Sequence, residues 1–295
     1  MFSDLHIRPA VLDDLAAVTH LIAAQLTADF QGMAFTAADL EERWQRFNLE
    51  TDTWLALVEG TAVAYLDLDR THSVPMLFLS DTAYADAGIQ LLQRAEQSVA
   101  DGTTLIAQIS DKNQTLQQLY AQAGYRHGLT FSNMEIVLTS PPPPPHWPEG
   151  IEVRPYNLDQ DAHKTYLADE EASQDKGYHT PLLFADWRDR MGLDRDDFDP
   201  SWWYLAWVGD EIAAVCLCFY RLSTGWIDHL GVRRPYRRQG LGKSLLLHAF
   251  VHFYQRGVAK VMLNVDSGSL TNAPHLYESV GMKTVQAYHI YRKEL

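Results

Sequence analysis

Between a strand-like run, Trp226 to Val232, and a helix-like run, Ser244 to Tyr254, the chain reads Arg237-Arg238-Gln239-Gly240-Leu241-Gly242-Lys243. Two glycines let backbone N–H groups approach a ligand closely, the helix that follows opens with unsatisfied donors at its positive dipole end, and cationic side chains stand on both sides. These parts suit a phosphate or pyrophosphate. Two familiar phosphate loops each fail on a named residue: a P-loop needs glycine where Arg237 stands, and a dinucleotide fingerprint needs a third glycine where Leu245 stands. The pattern that remains is Arg237-x-x-Gly240-x-Gly242.

The surroundings sharpen this reading. The 295 residues carry a formal net charge of −14, yet Arg233, Arg234, Arg237, Arg238 and Lys243 fall within eleven consecutive positions, a local reversal of sign. The acidic balance argues against a nucleic-acid partner. The two cysteines, Cys216 and Cys218, share one face of a strand at i,i+2 spacing and read as reduced thiols, with no second Cys/His pair for a metal. His248 and His252 stand one helical turn apart, but the segment lacks the glutamate of a zincin; they read as a solvated helix face and no metal is expected. No stretch of 18 apolar residues suggests a membrane partner, and Met1 to His6 show no cationic-then-apolar leader, so the cytoplasm is the expected location.

The elements that must position the loop repeat along the chain. Ile7-Arg8-Pro9 returns as Val153-Arg154-Pro155, Trp54 to Val58 returns as Tyr204 to Val208, and Leu119-Tyr120 with Gly124 returns as Leu276-Tyr277 with Gly281. Three matches in one order, at a slowly growing offset, predict two copies of one fold. Pro141 to Pro145 cannot sit inside a helix or central strand and predict a semi-rigid polyproline spacer. The expected division is therefore 1–140, a Pro-rich linker at 141–150, and 151–295. In the second copy, Trp202 to Val208 and Ile212 to Tyr220 predict a hairpin about Gly209-Asp210-Glu211. Trp226 to Val232 and Val258 to Val265 predict parallel strands separated by a helix, with ligand at their carboxyl ends.

The second half resembles the GNAT acetyltransferase superfamily over nearly its whole length. The resemblance rests on the strand ending Leu230-Gly231-Val232, the loop Arg237 to Lys243, the strand ending Asn264-Val265, and Asn272-Ala273-Pro274-His275-Leu276-Tyr277-Glu278-Ser279-Val280-Gly281-Met282, similar to the family's Asn-Ala-x-x-x-Tyr-x-x-x-Gly-Phe segment. It implies an α/β (α+β) fold with two tandem GNAT-like domains. Each would be a mixed, mostly antiparallel sheet with a splayed parallel strand pair flanked by helices. It further implies acetyl-CoA as cosubstrate, held by Leu230 and Val232 along the pantetheine arm, by Arg237, Arg238, Gln239, Gly240, Leu241, Gly242 and Lys243 at the pyrophosphate, and by Asn272.

Acyl transfer to an amine needs a base, because an amine of pKa about 10.4 is protonated at neutral pH, and gains from an acid that protonates the leaving thiolate. Tyr277, matching the family's tyrosine, is the expected acid. The family's usual strand glutamate is replaced by Trp226, which is expected to line the acceptor pocket. Strand alternation places Asp228 on the face of Trp226, making Asp228 the candidate base, and turns His229 away as a satisfied sheet histidine. The acidic run Asp194 to Asp199 reads as a solvated loop. The expected reaction is direct transfer from acetyl-CoA to a primary amine of a small molecule, by a protein for which pairing as a homodimer is left open. Alternatives left open are a non-catalytic CoA-binding or interaction module, and an acyltransferase acting on a protein N-terminus or a hydroxyl or thiol acceptor.

The first half departs from this pattern. After the strand Pro75 to Ser80 the chain reads Asp81-Thr82-Ala83-Tyr84-Ala85-Asp86-Ala87-Gly88, with no Gly-x-Gly and with acids in place of cations. A pyrophosphate would be repelled there. Residues 1–140 are therefore expected to form a degenerate, non-catalytic copy, although Tyr120 stands where Tyr277 has its role.

Overall fold

The computed structural model describes residues 4–30, 34–177, 179–269 and 272–295. Met1 to Ser3, in the segment read for a leader, thus lie outside the described residues. The chain divides into two compact units, one formed by Met1–Phe131 with Gln286–Leu295 and the other by Ser132–Val285.

The first unit contains β1 (Leu5–Arg8), α1 (Leu15–Asp29), α2 (Ala37–Trp44), α3 (Leu49–Asp52), β2 (Thr53–Val58), β3 (Thr61–Asp69), β4 (Val74–Leu79), α4 (Ala85–Gln97), β5 (Thr104–Ser110), α5 (Gln114–Gln122) and the start of β6 (Arg126–Val137). The order β1-β2-β3-β4 is antiparallel throughout. β2 turns into β3 through Glu59-Gly60, both at positive φ (50° and 79°), the two-residue turn whose twist matches the flanking strands. The remainder of β6 opens the second unit, followed by β7 (Glu152–Pro155), α6 (Leu158–Ser173), α7 (Phe184–Arg190), β8 (Trp203–Val208), β9 (Glu211–Arg221), β10 (Thr224–Val232), α8 (Leu241–Gln255), β11 (Lys260–Asp266), α9 (Ala273–Glu278) and β12 (Lys283–Glu294). Its strand order is β7-β8-β9-β10-β11-β6, antiparallel from β7 to β10 and parallel between β10 and β11.

The sequence repeats coincide with repeats of pairing. Ile7 faces Ala56 and Arg8 faces Leu55 in the first unit; Val153 faces Ala206 and Arg154 faces Leu205 in the second. Both hairpins carry a bulge at the same place, between Ala56 and Leu57 and between Ala206 and Trp207. A bulge is a specific two-against-one insertion, so its recurrence is strong support for two copies of one architecture.

Two segments are placed where a contiguous division of the chain does not put them. The last strand, β12, runs out of the second unit and lies antiparallel to β5 in the first, from Tyr288 opposite Ser110 to Glu294 opposite Thr104. The proline run has no helix or strand, as expected, but the segment after it is strapped to α8: the Ser244 hydroxyl donates to the His146 carbonyl, and Trp147 meets the His248 ring edge-on at 5.7 Å. A polyproline segment has no internal hydrogen bonds, so neighbouring side chains decide where it lies.

In the second unit, one face of the sheet packs on α8 through Ala214, Cys216, Cys218, Ile227, Leu245, Leu246, Ala249, Phe250 and Phe253. The other face carries Leu205, Val215, Leu217 and the aromatic layer of Trp187 and Trp203 beneath α6 and α7. Cys216 and Cys218 are buried free thiols with sulfurs 3.6 Å apart, on one face as expected. His248 and His252, expected to be solvated, are instead half-buried beside Tyr204, their rings 4.4 Å apart and tilted by 44°. Among the described residues no cluster of side chains suits a metal ion, and no helix is long and apolar enough to cross a membrane.

Candidate active site

β10 is laddered to β11 only from Thr224 to Ile227, whereas it stays laddered to β9 as far as Val232. Past Ile227 the two parallel strands separate, and Asp228 to Val232 present an unladdered edge to the wedge between them. Leu230 and Val232 sit opposite Cys216 and Ala214 of β9 and pack toward α8. Gly231 is required by close approach, because a Cβ there would stand 2.7 Å from the Ala172 Cβ of α6.

The loop leaving β10 forms a backbone cradle. Arg238 and Gly240 are left-handed, with φ of 60° and 84°. Gly240 is the N-cap of α8 without any side-chain cap, so the first-turn N–H groups of α8 are left for a ligand or solvent. The two glycines serve differently. A Cβ on Gly240 would meet nothing within 4 Å, whereas one on Gly242 would come within 3.1 Å of Leu276 and 3.7 Å of Val232. Gly240 leaves the mouth of the cradle open; Gly242 lets α8, α9 and the end of β10 close up behind it.

The cationic cluster is split by its partners. Arg233 pairs with Glu171 at 2.6 Å and Glu211 at 3.3 Å, and Arg234 pairs with Asp175. Arg237, expected in the cradle, acts as a strut: its Nε donates to the Val232 carbonyl at 2.9 Å and its Nη1 to Asp175. The two guanidiniums of Arg234 and Arg237 hold the Asp175 carboxyl far below the usual carboxylate range. Among the described residues Arg238 and Lys243 have no ion-pair partner; they are exposed with Gln239 at the open mouth, while Leu241 is buried.

Asn272 takes a left-handed conformation (φ 57°) as the N-cap of α9 and is exposed. Tyr277 lies in that helix, 8% exposed, within the core cluster that includes Leu241 and Val265. The preceding Leu276 touches the Gly242 side of the cradle, which brings α9 to the start of α8. Asn264, at the end of β11, donates from Nδ2 to Asn133 at 2.8 Å.

The acid–base group differs from the alternation reading. The β9–β10 register slips between Ile227 and His229, leaving Asp228 in a bulge. Trp226 faces Phe219 and His229 faces Leu217, two positions on one face of β9, while Ile227 and Leu230 face Cys218 and Cys216 on the other. His229, and not Asp228, therefore continues the face of Trp226 toward α6; an extra residue in a ladder reverses the alternation beyond it. Asp228 projects from the bulge with its side chain 46% exposed. The His229 Nδ1 lies 2.7 Å from Asp169 Oδ2 of α6, and its Nε2 lies 3.5 Å from Asp228 Oδ2. Asp169 also accepts from the Trp187 indole at 2.9 Å. Sequence reading did not single out Asp169; the available signal is an acid inside the Ala162, Thr165, Ala168, Ser173 stripe by which α6 is buried.

Residues 156–282 match the acetyltransferase (GNAT) family. A GCN5-related N-acetyltransferase from Sphaerobacter thermophilus, of known crystal structure, is 32% identical, with 98% of this chain and 95% of that one covered at a TM-score of 0.75. The chain belongs to the GNAT acetyltransferase family. It is an acetyltransferase of the tandem GNAT type: a tandem GNAT protein of clavulanic acid biosynthesis superposes over 99% of the chain at a TM-score of 0.65 and 14% identity, a likeness of fold alone. The mycothiol acetyltransferase of Streptomyces bingchenggensis is 26% identical over 98% of this chain and 94% of its own length. That of Thermobispora bispora is 28% identical over 187 residues, covering 60% of this chain and 61% of its own.

Proposed function

We propose that the second unit transfers the acetyl group of acetyl-CoA directly to a primary amine of a small molecule within a ternary complex. The observation that carries this reading is the uncapped, open start of α8 at Gly240, flanked by the exposed Arg238 and Lys243, which have no ion-pair partner among the described residues. Exposed cations and orphan N–H groups are the two features by which a helix start binds a pyrophosphate. Arg237 serves by fixing the loop to β10. The unladdered edge at Leu230 and Val232 offers backbone groups to the pantetheine arm, as a strand would to an added strand.

Within this reading Trp226 borders the acceptor, Asp228 and His229 stand where the ammonium arrives, and Tyr277 is the group that returns a proton to the leaving sulfur. A phenol of ordinary pKa about 10 is protonated at neutral pH and can do so. The curated relatives are named for mycothiol, which supplies the first acceptor chemistry to try. Thermal-shift titration with acetyl-CoA should raise the unfolding temperature in proportion to about RT ln(1 + [L]/Kd). Release of free thiol should then depend on added amine. Absence of stabilisation at millimolar acetyl-CoA removes the reading, and stabilisation without turnover on any amine, hydroxyl or thiol acceptor reduces the unit to a binding module.

A further inference from the structure

Asp169 is 2% exposed, on the buried stripe of α6, and a carboxylate in such a place is costly unless it is paired. It receives two hydrogen bonds, from Trp187 Nε1 and from His229 Nδ1, both on Oδ2; Oδ1 has no donor. Burial opposes its ionisation, but the charge and hydrogen bond of His229, the Trp187 indole and the charge of Lys176 outweigh it, so the carboxyl titrates below its ordinary range. When the ring is neutral, an ionised Asp169 holds its hydrogen on Nδ1 and leaves Nε2 with its lone pair. Nε2 turns toward Asp228 at the bulge, on the Trp226 face of β10 where the parallel strands part. Among the described residues the imidazole meets Asp228 on its own strand and Asp169 of α6, with Lys176 acting on Asp169; its β9 neighbour, Leu217, carries no charge.

We infer that His229, oriented by Asp169, removes the proton from the acceptor ammonium, and that Asp228 steadies that ammonium without taking its proton. This rests on the acetyl-transfer reading above. Nε2 stands on the Trp226 face with its ring held from Nδ1 by a buried carboxylate, whereas Asp228 is 46% exposed in the bulge, which favours Nε2 as acceptor. The step balances. Nε2 takes one of the ammonium's three protons, the freed lone pair attacks the acetyl carbonyl carbon, the C–N bond forms and the C–S bond breaks. Of the two remaining protons one stays on the amide nitrogen and one ends on sulfur by way of Tyr277. Asp169 is a positioning residue, since it acts only through the ring it holds.

The test uses the full chain with acetyl-CoA and an amine that supports turnover. His229→Gln should lower kcat by about 10²- to 10⁴-fold while thermal stabilisation by acetyl-CoA is unchanged. Its deficit should shrink as the pH approaches the amine's own pKa of about 10.4, where no base is needed. Asp169→Asn should lower kcat without changing KM for acetyl-CoA, and Asp228→Asn should raise the acceptor KM more than it lowers kcat. A His229→Gln chain that turns over at the native rate, or whose deficit does not vary with pH, overturns the inference. If that variant does not fold, Asp169→Asn decides, and native kcat in it overturns the inference equally. A native chain that is neither stabilised by acetyl-CoA nor active overturns the underlying acetyl-transfer reading, and this inference falls with it.

Discussion

The same strand-to-helix junction occurs once in each unit, and the two copies have become opposites. In the second unit the junction after β10 ends in a left-handed, uncapped Gly240 with exposed cations beside it. In the first, after β4, the Asp81 carboxylate caps a short turn by accepting from the Ala83 N–H at 2.8 Å, and the start of α4, uncapped at Tyr84, has Asp81 and Asp86 beside it in place of cations. The sheets differ likewise. β3 and β4 are paired without interruption from Ala64 opposite Leu79 to Asp69 opposite Val74, whereas β9 and β10 break at Asp228. Tyr120 is 2% exposed, its hydroxyl donates to the Pro75 carbonyl at 2.9 Å, and burial drives its pKa far up. One scaffold thus carries a junction lined by cations and glycine and another lined by acids, which repel an outside anion. The hairpin bulges common to both belong to the architecture; the bulge at Asp228 belongs to the site.

The strongest way to break this comparison is to remove Gln286–Leu295. Those residues complete the first unit, pairing β12 with β5 and placing Lys293 2.7 Å from Glu96. Deleting a strand from a sheet should cost several kcal/mol, a large part of a typical domain stability of about 5–15 kcal/mol. Hydrogen exchange should show β5 amides losing protection while those of β8 and β9 keep theirs; unchanged β5 protection would show that the first unit stands without the exchanged strand.

Next in size is Gly240→Asp, which places an acid at the start of α8, where the first unit carries acids beside α4. Asp tolerates left-handed backbone and the added Cβ has open space, so the fold should survive while acetyl-CoA affinity falls at least about tenfold, about 1.4 kcal/mol. Calorimetric titration showing native affinity would mean the anion does not sit at α8. The converse change, Asp81→Ala, should cost the first unit about 1 kcal/mol as a lost cap, visible as a lower unfolding midpoint, and leave acetyl-CoA affinity untouched.

The smallest effect concerns pH. Burial first, then the charge of His252, lowers the His248 pKa from 6.5 to about 4, and the corresponding helix α4 contains no histidine. Between those values the unfolded chain binds more protons than the folded one, so stability present above pH 6.5 is lost as the pH falls toward about 4. Urea midpoints of the native chain and His248→Phe, compared at about pH 7 and pH 4.5, should show the smaller acid loss in the variant. Equal losses would place the acid sensitivity elsewhere.

Much of this was legible in the residues alone. The spacing of Arg237, Gly240 and Gly242, the matched segment ending at Gly281, the acids after Ser80 and the three segments that recur in order pointed to the family, the duplication and the asymmetry between copies, because each is a local pattern of types that a turn or helix start requires. The tertiary structure decided the rest. Arg237 met Asp175 and became a strut, since an arginine's partner depends on which helix end is packed nearby. β12 crossed to complete the first unit, which no strand pattern announces because pairing is chosen by register across distant segments. His229, read by strict alternation as turned away, came to the face of Trp226 and met Asp169, 60 residues earlier in the chain, because one bulged residue reverses every face that follows it.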